Sequence, residues 1–300
     1  MQYPPGFRDV DHALKGRAYC EKRRKFIDLL VSTDFCNPKE ETKLEIAMNS
    51  GGVDEVLDEL YRQLADKDNE IWYGPGVSLP TGTSFQISKD LNLSRINSPH
   101  LDNLVNMKNV EQTRFEGINS PTIYIGTQSS TFGLHIEDFA FESINRSLGA
   151  AEKLWFVVPP AYYGSFCLWM SKCGVPPEVS NCPSFLQHRQ NFIDPRTAVK
   201  AGFPVRTVRQ RVGDVVYLLP FAIHWGVNLG FTLNEAVKSC SKSWLHSGLL
   251  SKPMCQCRSL QSNMQHVQLD KACWFLLGQH RRCYKSGNMA STWELWPHLT

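Results

Sequence analysis

The chain has 300 residues, which fit one large domain or a core domain with a smaller annex. Hydrophobic residues make up 42% and charged residues 20%, a composition typical of a soluble globular protein with a substantial core. The net charge of +3 is too small to indicate nucleic-acid binding by itself.

Three regions follow one another along the chain. Residues 1–70 are predicted to form a helical N-terminal segment, because ALKGRAYCEKRRKFIDLLVS and GGVDEVLDELYRQLAD repeat apolar residues at helical intervals. In residues 71–240, short β-branched and aromatic runs alternate with Gly- and Pro-rich turns, which predicts a β sandwich or barrel. Residues 241–300 are predicted to be a C-terminal extension of mixed, mainly helical segments around a CQC.

The N-terminus is polar and charged and lacks the apolar run of a signal peptide. The longest apolar run, VVYLLPFAIHWGV, is too short for a bilayer and contains a Pro and a His. We therefore expect an intracellular protein, in which the ten cysteines are thiols or metal ligands rather than disulfides.

The apolar segment FGLHIEDFAFESIN contains two potential metal ligands, His135 and Glu137. Residues i and i+2 of a strand project from the same face, so both side chains can point into one cavity. A third ligand is His224, in the equally apolar PFAIHWGVN. Two imidazoles and one carboxylate form the facial triad of non-heme Fe(II) oxygenases, which leaves coordination positions open. Because a lone His in an apolar strand is more often a core residue, the hypothesis depends on further residues with matching chemistry.

One such residue is Lys153, which begins the apolar strand KLWFVVPP. A buried ammonium is costly unless an anion meets it. A dicarboxylate that chelates iron at one end needs a cation at its other end, and Lys153 is predicted to supply it.

Together these segments resemble the JmjC-domain histone lysine demethylases, in particular the branch with a JmjN segment and a Cys-His-Cys-Cys zinc site. The matching segments lie in the family's order within residues 71–257: INSPTIYIGTQSSTFGLHIEDFAFESIN, KLWFVVPP, FLQHRQNFIDP, GFPVRTVRQRVGDVVYLLPFAIHWGVNLGFTLNEA and CQC. The resemblance implies a mainly β (α+β) fold with a double-stranded β-helix, or jelly-roll, core. It also implies an Fe(II)- and 2-oxoglutarate-dependent dioxygenase that demethylates N-methyl-lysine on histone tails, most similarly histone H3, and releases succinate, carbon dioxide and formaldehyde.

The resemblance assigns roles to individual side chains. His135, Glu137 and His224 match the catalytic iron ligands. Lys153 and Tyr73 match the pair that binds the distal carboxylate of 2-oxoglutarate. The other residues that match the cofactor site are Phe132, Asn145, Trp155 and Asn228. For the two aromatic rings of that set, packing in the core is an equal alternative.

A structural zinc site is also implied. Cys182 and His188 are six residues apart in CPSFLQHRQ, and Cys255 and Cys257 lie in MCQCR. Three thiolates and one imidazole suit tetrahedral Zn(II), whose binding would couple to folding and pin the extension against the β core. The alternative is a set of reduced thiols without metal.

The predicted substrate-binding residues depart from the family pattern. Tyr124 matches one of two tyrosines, but Thr122 stands at the place of the other. Ala236, Val237 and Lys238 replace a Ser-Thr-Asn run beside the methylammonium group. An inward-pointing Lys238 would repel a cationic substrate.

Further departures keep several functions open. Gly76 replaces an acidic residue of the substrate-binding wall, Arg189 replaces a lysine beside the oxygen path, and no JmjN segment is recognisable in residues 1–70. The alternatives to a demethylase are a JmjC protein hydroxylase and a non-catalytic chromatin-binding module.

The resemblance implies a histone tail peptide or another methylated protein, and chromatin, as partners. It implies a nuclear location, with the cytoplasm also open, and no membrane is expected. The basic stretch RTAVKAGFPVRTVRQRVGD is interpreted as a solvated face, which leaves direct nucleic-acid contact as the weaker alternative.

Overall fold

The computed structural model describes residues 7–9, 41–66, 69, 71–77, 122–172, 182, 184–189, 191–239 and 244. The strands of this part are β1 (Phe7–Asp9), β2 (Tyr73–Val77), β3 (Thr122–Gly126), β4 (Thr131–His135), β5 (Glu142–Ala150), β6 (Lys153–Val158), β7 (Asn191–Ile193), β8 (Arg206–Gln210), β9 (Val215–Leu218), β10 (Ile223–Asn228) and β11 (Thr232–Ser239). Its helices are α1 (Lys43–Ala65), α2 (Tyr163–Lys172) and α3 (Pro195–Lys200). Among these described helices, none is both long and apolar enough to cross a membrane.

Two antiparallel sheets form the β core. One has the strand order β4-β10-β6-β8, and the other has the order β2-β3-β11-β5-β9. Strands distant in sequence are neighbours in both sheets, as in a double-sheet jelly roll. The predicted mainly β fold with a jelly-roll core is confirmed.

Strand β6 divides its side chains between the two faces of the four-stranded sheet. Leu154 and Phe156 are fully buried in the main hydrophobic core, together with residues of α1 and α2. The alternating residues Lys153 and Trp155 therefore point the other way, towards the five-stranded sheet. The helices thus cover one face, and the other face is left for the site between the sheets.

The N-terminal region differs in two ways from the predicted helical segment. Helix α1 begins at Lys43, where the Thr42 hydroxyl caps the Glu45 amide and the Glu45 carboxylate accepts from the Thr42 amide. The chain is already helical from Lys43, before the predicted stretch, and the kink at Gly52, whose φ is 75°, separates this first part from the predicted helix after the Gly pair. Phe7–Asp9 is a strand paired with Asn191–Ile193, a long-range partner that local periodicity cannot reveal. The predicted helix over residues 13–32 lies outside the described residues.

Only Trp244 of the predicted C-terminal extension is described. Its ring is buried and stacks on Phe141 with the centroids 4.6 Å apart, so this residue contacts the β core. The domain boundaries at residues 70 and 240 stay predictions.

Gly226, in the middle of β10, has no room for a side chain. A Cβ there would lie 2.1 Å from the Leu154 carbonyl oxygen and 2.5 Å from the Phe132 ring. We expect Gly226→Ala to lower the free energy of unfolding by at least about 1–3 kcal/mol, the cost of overpacking. Denaturant unfolding measures this, with Gly149→Ala as the control, since a Cβ at Gly149 meets nothing within 4 Å. Equal destabilisation by the two substitutions would contradict the close packing of β10.

Candidate active site

The three predicted iron ligands converge where β4 and β10 pair. His135 is the last residue of β4 and lies directly opposite His224 of β10. Glu137 follows two residues after His135, and the potential ligand atoms of all three lie within 4.8 Å of one another. The two imidazole centroids are 4.1 Å apart. The predicted grouping of His135, Glu137 and His224 is therefore present in the fold.

Backbone carbonyls orient both imidazoles towards a common point. His135 Nδ1 donates to the Gly133 carbonyl oxygen at 2.6 Å, and His224 Nδ1 donates to the Ala222 carbonyl oxygen at 2.9 Å. The Nε2 atoms are thereby left as the nitrogens that could bind a metal. Burial is the main reason why the pKa of each histidine lies below its ordinary value, which keeps both rings in the neutral form that binds metals.

The two oxygens of the Glu137 carboxylate have different neighbours. Oε1 is 3.8 Å from His224 Nε2, whereas Oε2 is 3.2 Å from Lys238 Nζ and 3.6 Å from an Arg189 guanidinium nitrogen. Burial alone would raise the pKa of Glu137, but the Lys238 and Arg189 charges outweigh it and hold the pKa below its usual value. An ionised oxygen beside two neutral imidazoles is a donor set that suits a divalent transition metal.

Asp138 completes a cluster of four charges at this point. Its Oδ2 is 2.7 Å from Lys238 Nζ and 3.2 Å from Arg189. Burial alone would raise the pKa of Asp138, but these two cations hold the pKa below its usual value. Sequence reasoning misses Asp138, for which the only signal is its place beside Glu137. It also places Lys238 in the substrate pocket and Arg189 beside the oxygen path, without indicating that both bind the carboxylates of Glu137 and Asp138.

Lys153 has the environment expected of a side chain that binds an anionic ligand. It is 3% exposed, and no carboxylate of the described residues lies within ion-pairing distance of its ammonium. Instead, Lys153 Nζ lies 5.3 Å from the Phe132 ring centroid and 5.6 Å from the Trp155 ring centroid. Burial lowers the pKa of Lys153 to about 7.

The predicted cofactor side chains around Lys153 form one wall that reaches to the triad. Phe132 packs edge-on against Trp155 with the centroids 4.7 Å apart, and Trp155 lies 6.0 Å from the His224 ring. Tyr73 packs against the same apolar cluster, and burial is the main reason why the pKa of its phenol is raised. Lys153 pairs with Asn228 four positions along β10 from His224, which is roughly 13 Å at the usual rise per residue.

A network of hydrogen bonds between buried side-chain amides supports these side chains. Asn145 Oδ1 accepts hydrogen bonds from Asn234 at 2.9 Å and from Gln210 at 3.2 Å. Gln210 Oε1 in turn accepts from the Trp155 indole at 2.9 Å. The Asn145 Nδ2 group is therefore the part of this amide that is turned to other acceptors. Sequence reasoning identifies Asn145 and Trp155 but misses Gln210 and Asn234, which lie on strands without a motif.

Asn228 is engaged with protein groups. Its Nδ2 donates to the Ser130 hydroxyl at 2.8 Å, and its Oδ1 accepts from the Thr232 hydroxyl at 2.9 Å. These bonds tie the turn before β4 to the turn before β11. A contact of Asn228 with a cofactor stays a prediction.

Three of the five predicted substrate-binding residues share the inner face of the five-stranded sheet with Lys238. Ala236 pairs with Thr122 on one side and with Asn145 on the other, and Tyr124 pairs with Asn234 two positions along. Val237 is the exception, because side chains alternate along β11 and put it on the opposite face from its neighbours. The predicted contact of Val237 with substrate is therefore not supported by the register.

The first half of the predicted zinc site is described. Cys182 and His188 are both buried. Cys182 precedes a short 3-10 helix over Phe185–His188, and His188 is the last residue of that helix. Burial lowers the pKa of His188. The other two predicted ligands, Cys255 and Cys257, lie outside the described residues. The site as a whole stays a prediction.

Comparison with known proteins agrees with the fold and the triad. Residues 122–238 match the family described as JmjC domain, hydroxylase. The predicted resemblance to JmjC-domain proteins is therefore confirmed over this region. The chain is 29% identical over 208 residues to human "Probable lysine-specific demethylase 4F". The aligned region covers 66% of this chain and 31% of that protein. It is 28% identical over 175 residues to mouse "Lysine-specific demethylase 4B" (58% of this chain, 16% of that protein). It is 30% identical over 142 residues to rat "Lysine-specific demethylase 4D" (47% of this chain, 28% of that protein). The chain thus spans less than a third of the length of each of these relatives.

Proposed function

We propose that the protein is an Fe(II)- and 2-oxoglutarate-dependent oxygenase of the lysine demethylase type. The single observation that carries the proposal is the combination of the His135, Glu137 and His224 donors with a buried Lys153 on the same sheet face. Iron with 2-oxoglutarate and dioxygen supplies the oxidising chemistry that hydroxylates a substrate C–H bond. The protein's own part is binding, orientation and exclusion of water.

Each part of the site has a task in this proposal. Lys153 and Tyr73 bind the distal carboxylate of 2-oxoglutarate, and the Asn145 Nδ2 group donates a hydrogen bond to the cosubstrate. Phe132 and Trp155 line the cosubstrate's chain and keep water away from it, which strengthens the Lys153 ion pair. The carbonyl bonds to both histidine Nδ1 atoms hold the imidazoles in place, so that little reorganisation is needed when the metal binds.

The first proposed substrate is N-methyl-lysine on a histone tail, most similarly histone H3, because the relatives are named lysine-specific demethylases. Hydroxylation of an N-methyl group gives N–CH2–OH. This group loses formaldehyde when the C–N bond breaks and the hydroxyl proton passes to nitrogen, which leaves the free amine. Chromatin as the wider partner and a nuclear location belong to the same proposal.

A second candidate is hydroxylation of an uncharged side chain, which yields a stable product. The Lys238 ammonium 3.2 Å from Glu137 Oε2 favours this candidate, because a cationic substrate would approach a fixed positive charge.

Turnover of 2-oxoglutarate tests the proposal. The full chain is incubated with Fe(II), ascorbate and a panel of methylated histone H3 peptides, and succinate, formaldehyde and peptide mass are measured. Succinate with formaldehyde supports demethylation, and succinate with a stable gain of one oxygen atom on the peptide supports hydroxylation. Absence of succinate under every condition would contradict an oxygenase and favour a non-catalytic chromatin-binding module.

We also propose that Cys182, His188, Cys255 and Cys257 bind structural Zn(II). Loss of one thiolate from a tetrahedral site weakens metal binding and therefore folding. We expect Cys182→Ser to lower the melting temperature and to release zinc, measured by metal analysis of the purified protein. Cys167→Ser, in α2, is the control and should keep its zinc. A Cys182→Ser protein with the wild-type zinc content would contradict this site.

A further inference from the structure

Lys238 lies beside the triad of His135, Glu137 and His224. It is on the β11 face that also presents Ala236, opposite Thr122 and Asn145, and its side chain is only 10% exposed. Its ammonium is 2.7 Å from Asp138 Oδ2 and 3.2 Å from Glu137 Oε2. A cation is thus fixed beside the non-imidazole ligand of the triad.

The charges around this cation balance. Glu137 and Asp138 contribute two negative charges, and Lys238 and Arg189 contribute two positive charges. Two carboxylate oxygens within 3.2 Å of Nζ stabilise the charged form of Lys238, so the side chain is an ammonium. A divalent metal bound to Glu137 would add further positive charge to this cluster.

A methylated lysine would have to bring its own charge into this space. Its methyl carbon must approach within roughly 3–3.5 Å of the reacting atom, and the charged nitrogen is one bond behind it. Asp138 is the carboxylate beside the triad that could stabilise this nitrogen, and Lys238 and Arg189 already bind it. A buried cation without a counterion is unfavourable, and a like charge nearby adds repulsion.

We propose that Lys238 makes this site select an uncharged target group, so that a neutral side chain is bound in preference to a methylammonium of the same shape. The Thr122 hydroxyl supports a neutral polar target, because it is buried on the same face and has no hydrogen-bond partner in the described part of the chain. This inference rests on the proposed function and assigns its second candidate, an uncharged side chain, as the substrate class.

Two probes that differ only in charge test the selection. One is N-acetyl-trimethyl-lysine amide, and the other is its isostere with carbon in place of the ammonium nitrogen. The full chain is loaded with paramagnetic Mn(II) and 2-oxoglutarate, and the relaxation of the terminal methyl protons is measured by NMR. The same measurement on His135→Ala, which lacks a triad ligand, gives the background to be subtracted.

In the wild type, we expect relaxation of the neutral probe to exceed that of the cationic probe by at least about tenfold, given the strength of charge repulsion at low dielectric. Lys238→Met keeps the length of the side chain and removes its charge. In this variant, the relaxation of the cationic probe should be at least as strong as that of the neutral probe. Lys238→Arg keeps the charge and should retain the wild-type preference.

The inference is overturned if the wild type relaxes the cationic probe as strongly as the neutral one, if neither probe is relaxed although Mn(II) is bound, or if Lys238→Met leaves the ratio unchanged. The ratio of the relaxation of the two probes in the wild type tests the inference even if a substitution at Lys238 weakens Mn(II) binding. Failure of the proposed function is separate, because it would appear as absent Mn(II) binding or absent succinate.

Discussion

We expect His135→Ala and His224→Ala each to abolish Fe(II)-dependent turnover of 2-oxoglutarate. Each substitution removes one of two imidazoles whose Nε2 atoms are turned to the same point by carbonyl bonds at Nδ1. Removal of an outer partner of a metal ligand costs roughly 10–100-fold, so loss of the ligand itself should exceed about 100-fold in activity and in metal affinity. Succinate formation and calorimetric titration with Mn(II) measure the two effects.

The control for these variants is Leu168→Ala, at a position on α2 that is 57% exposed and is not part of the candidate site. It should keep wild-type turnover and metal affinity. The melting temperature without metal shows whether each histidine variant is folded. A folded His135→Ala protein that binds Mn(II) as tightly as the wild type would contradict the triad.

Lys153→Met separates binding of the cosubstrate from binding of the metal. Removing one partner of a buried charge pair costs about 2–5 kcal/mol, so the Kd for 2-oxoglutarate should rise at least about 30-fold. The affinity for Mn(II) without 2-oxoglutarate should not fall. Lys200→Met, at the exposed end of α3, is the matched control and should change neither value. An unchanged Kd for 2-oxoglutarate in Lys153→Met would contradict the assigned role.

The same variant should change how stability depends on pH. The pKa of Lys153 is about 7 in the folded protein, against an ordinary value of 10.5. Between these values the unfolded chain binds more protons, so the stability of the wild type without 2-oxoglutarate rises with pH across this window. Lys153→Met has no such group and should be more stable than the wild type below pH 7, with an advantage that fades towards pH 10.5. Denaturant unfolding at a series of pH values measures this difference.

The parts of the site that could be predicted follow from regularities within a single strand. His135 and Glu137 share a face because strand side chains alternate, and a lysine at the start of a buried strand requires an anion. His224 is a candidate because it lies in an apolar strand, but its place beside His135 and the jelly-roll core follow only from the order of several motifs. The pairing of β4 with β10 joins segments almost ninety residues apart through the whole fold.

The parts that could not be predicted depend on contacts between the sheets. Lys238 on β11 meets Asp138 after β4, and Gln210 on β8 meets Asn145 on β5, so neither contact leaves a pattern in one segment. The strand at Phe7–Asp9 is hidden for the same reason, because its partner is β7. The assignment of Val237 raises a different point: three consecutive residues are predicted to line one pocket, although a strand presents only alternate residues to each face.

The most direct test of the account is a crystal structure of the full chain grown with Mn(II) and 2-oxoglutarate, with anomalous scattering recorded for the metal. The account predicts an anomalous peak bonded to His135 Nε2, Glu137 Oε1 and His224 Nε2, and a 2-oxoglutarate whose distal carboxylate accepts from Lys153 Nζ. A peak elsewhere, or a Lys153 side chain paired with a protein carboxylate while 2-oxoglutarate is absent from the cavity, would contradict it.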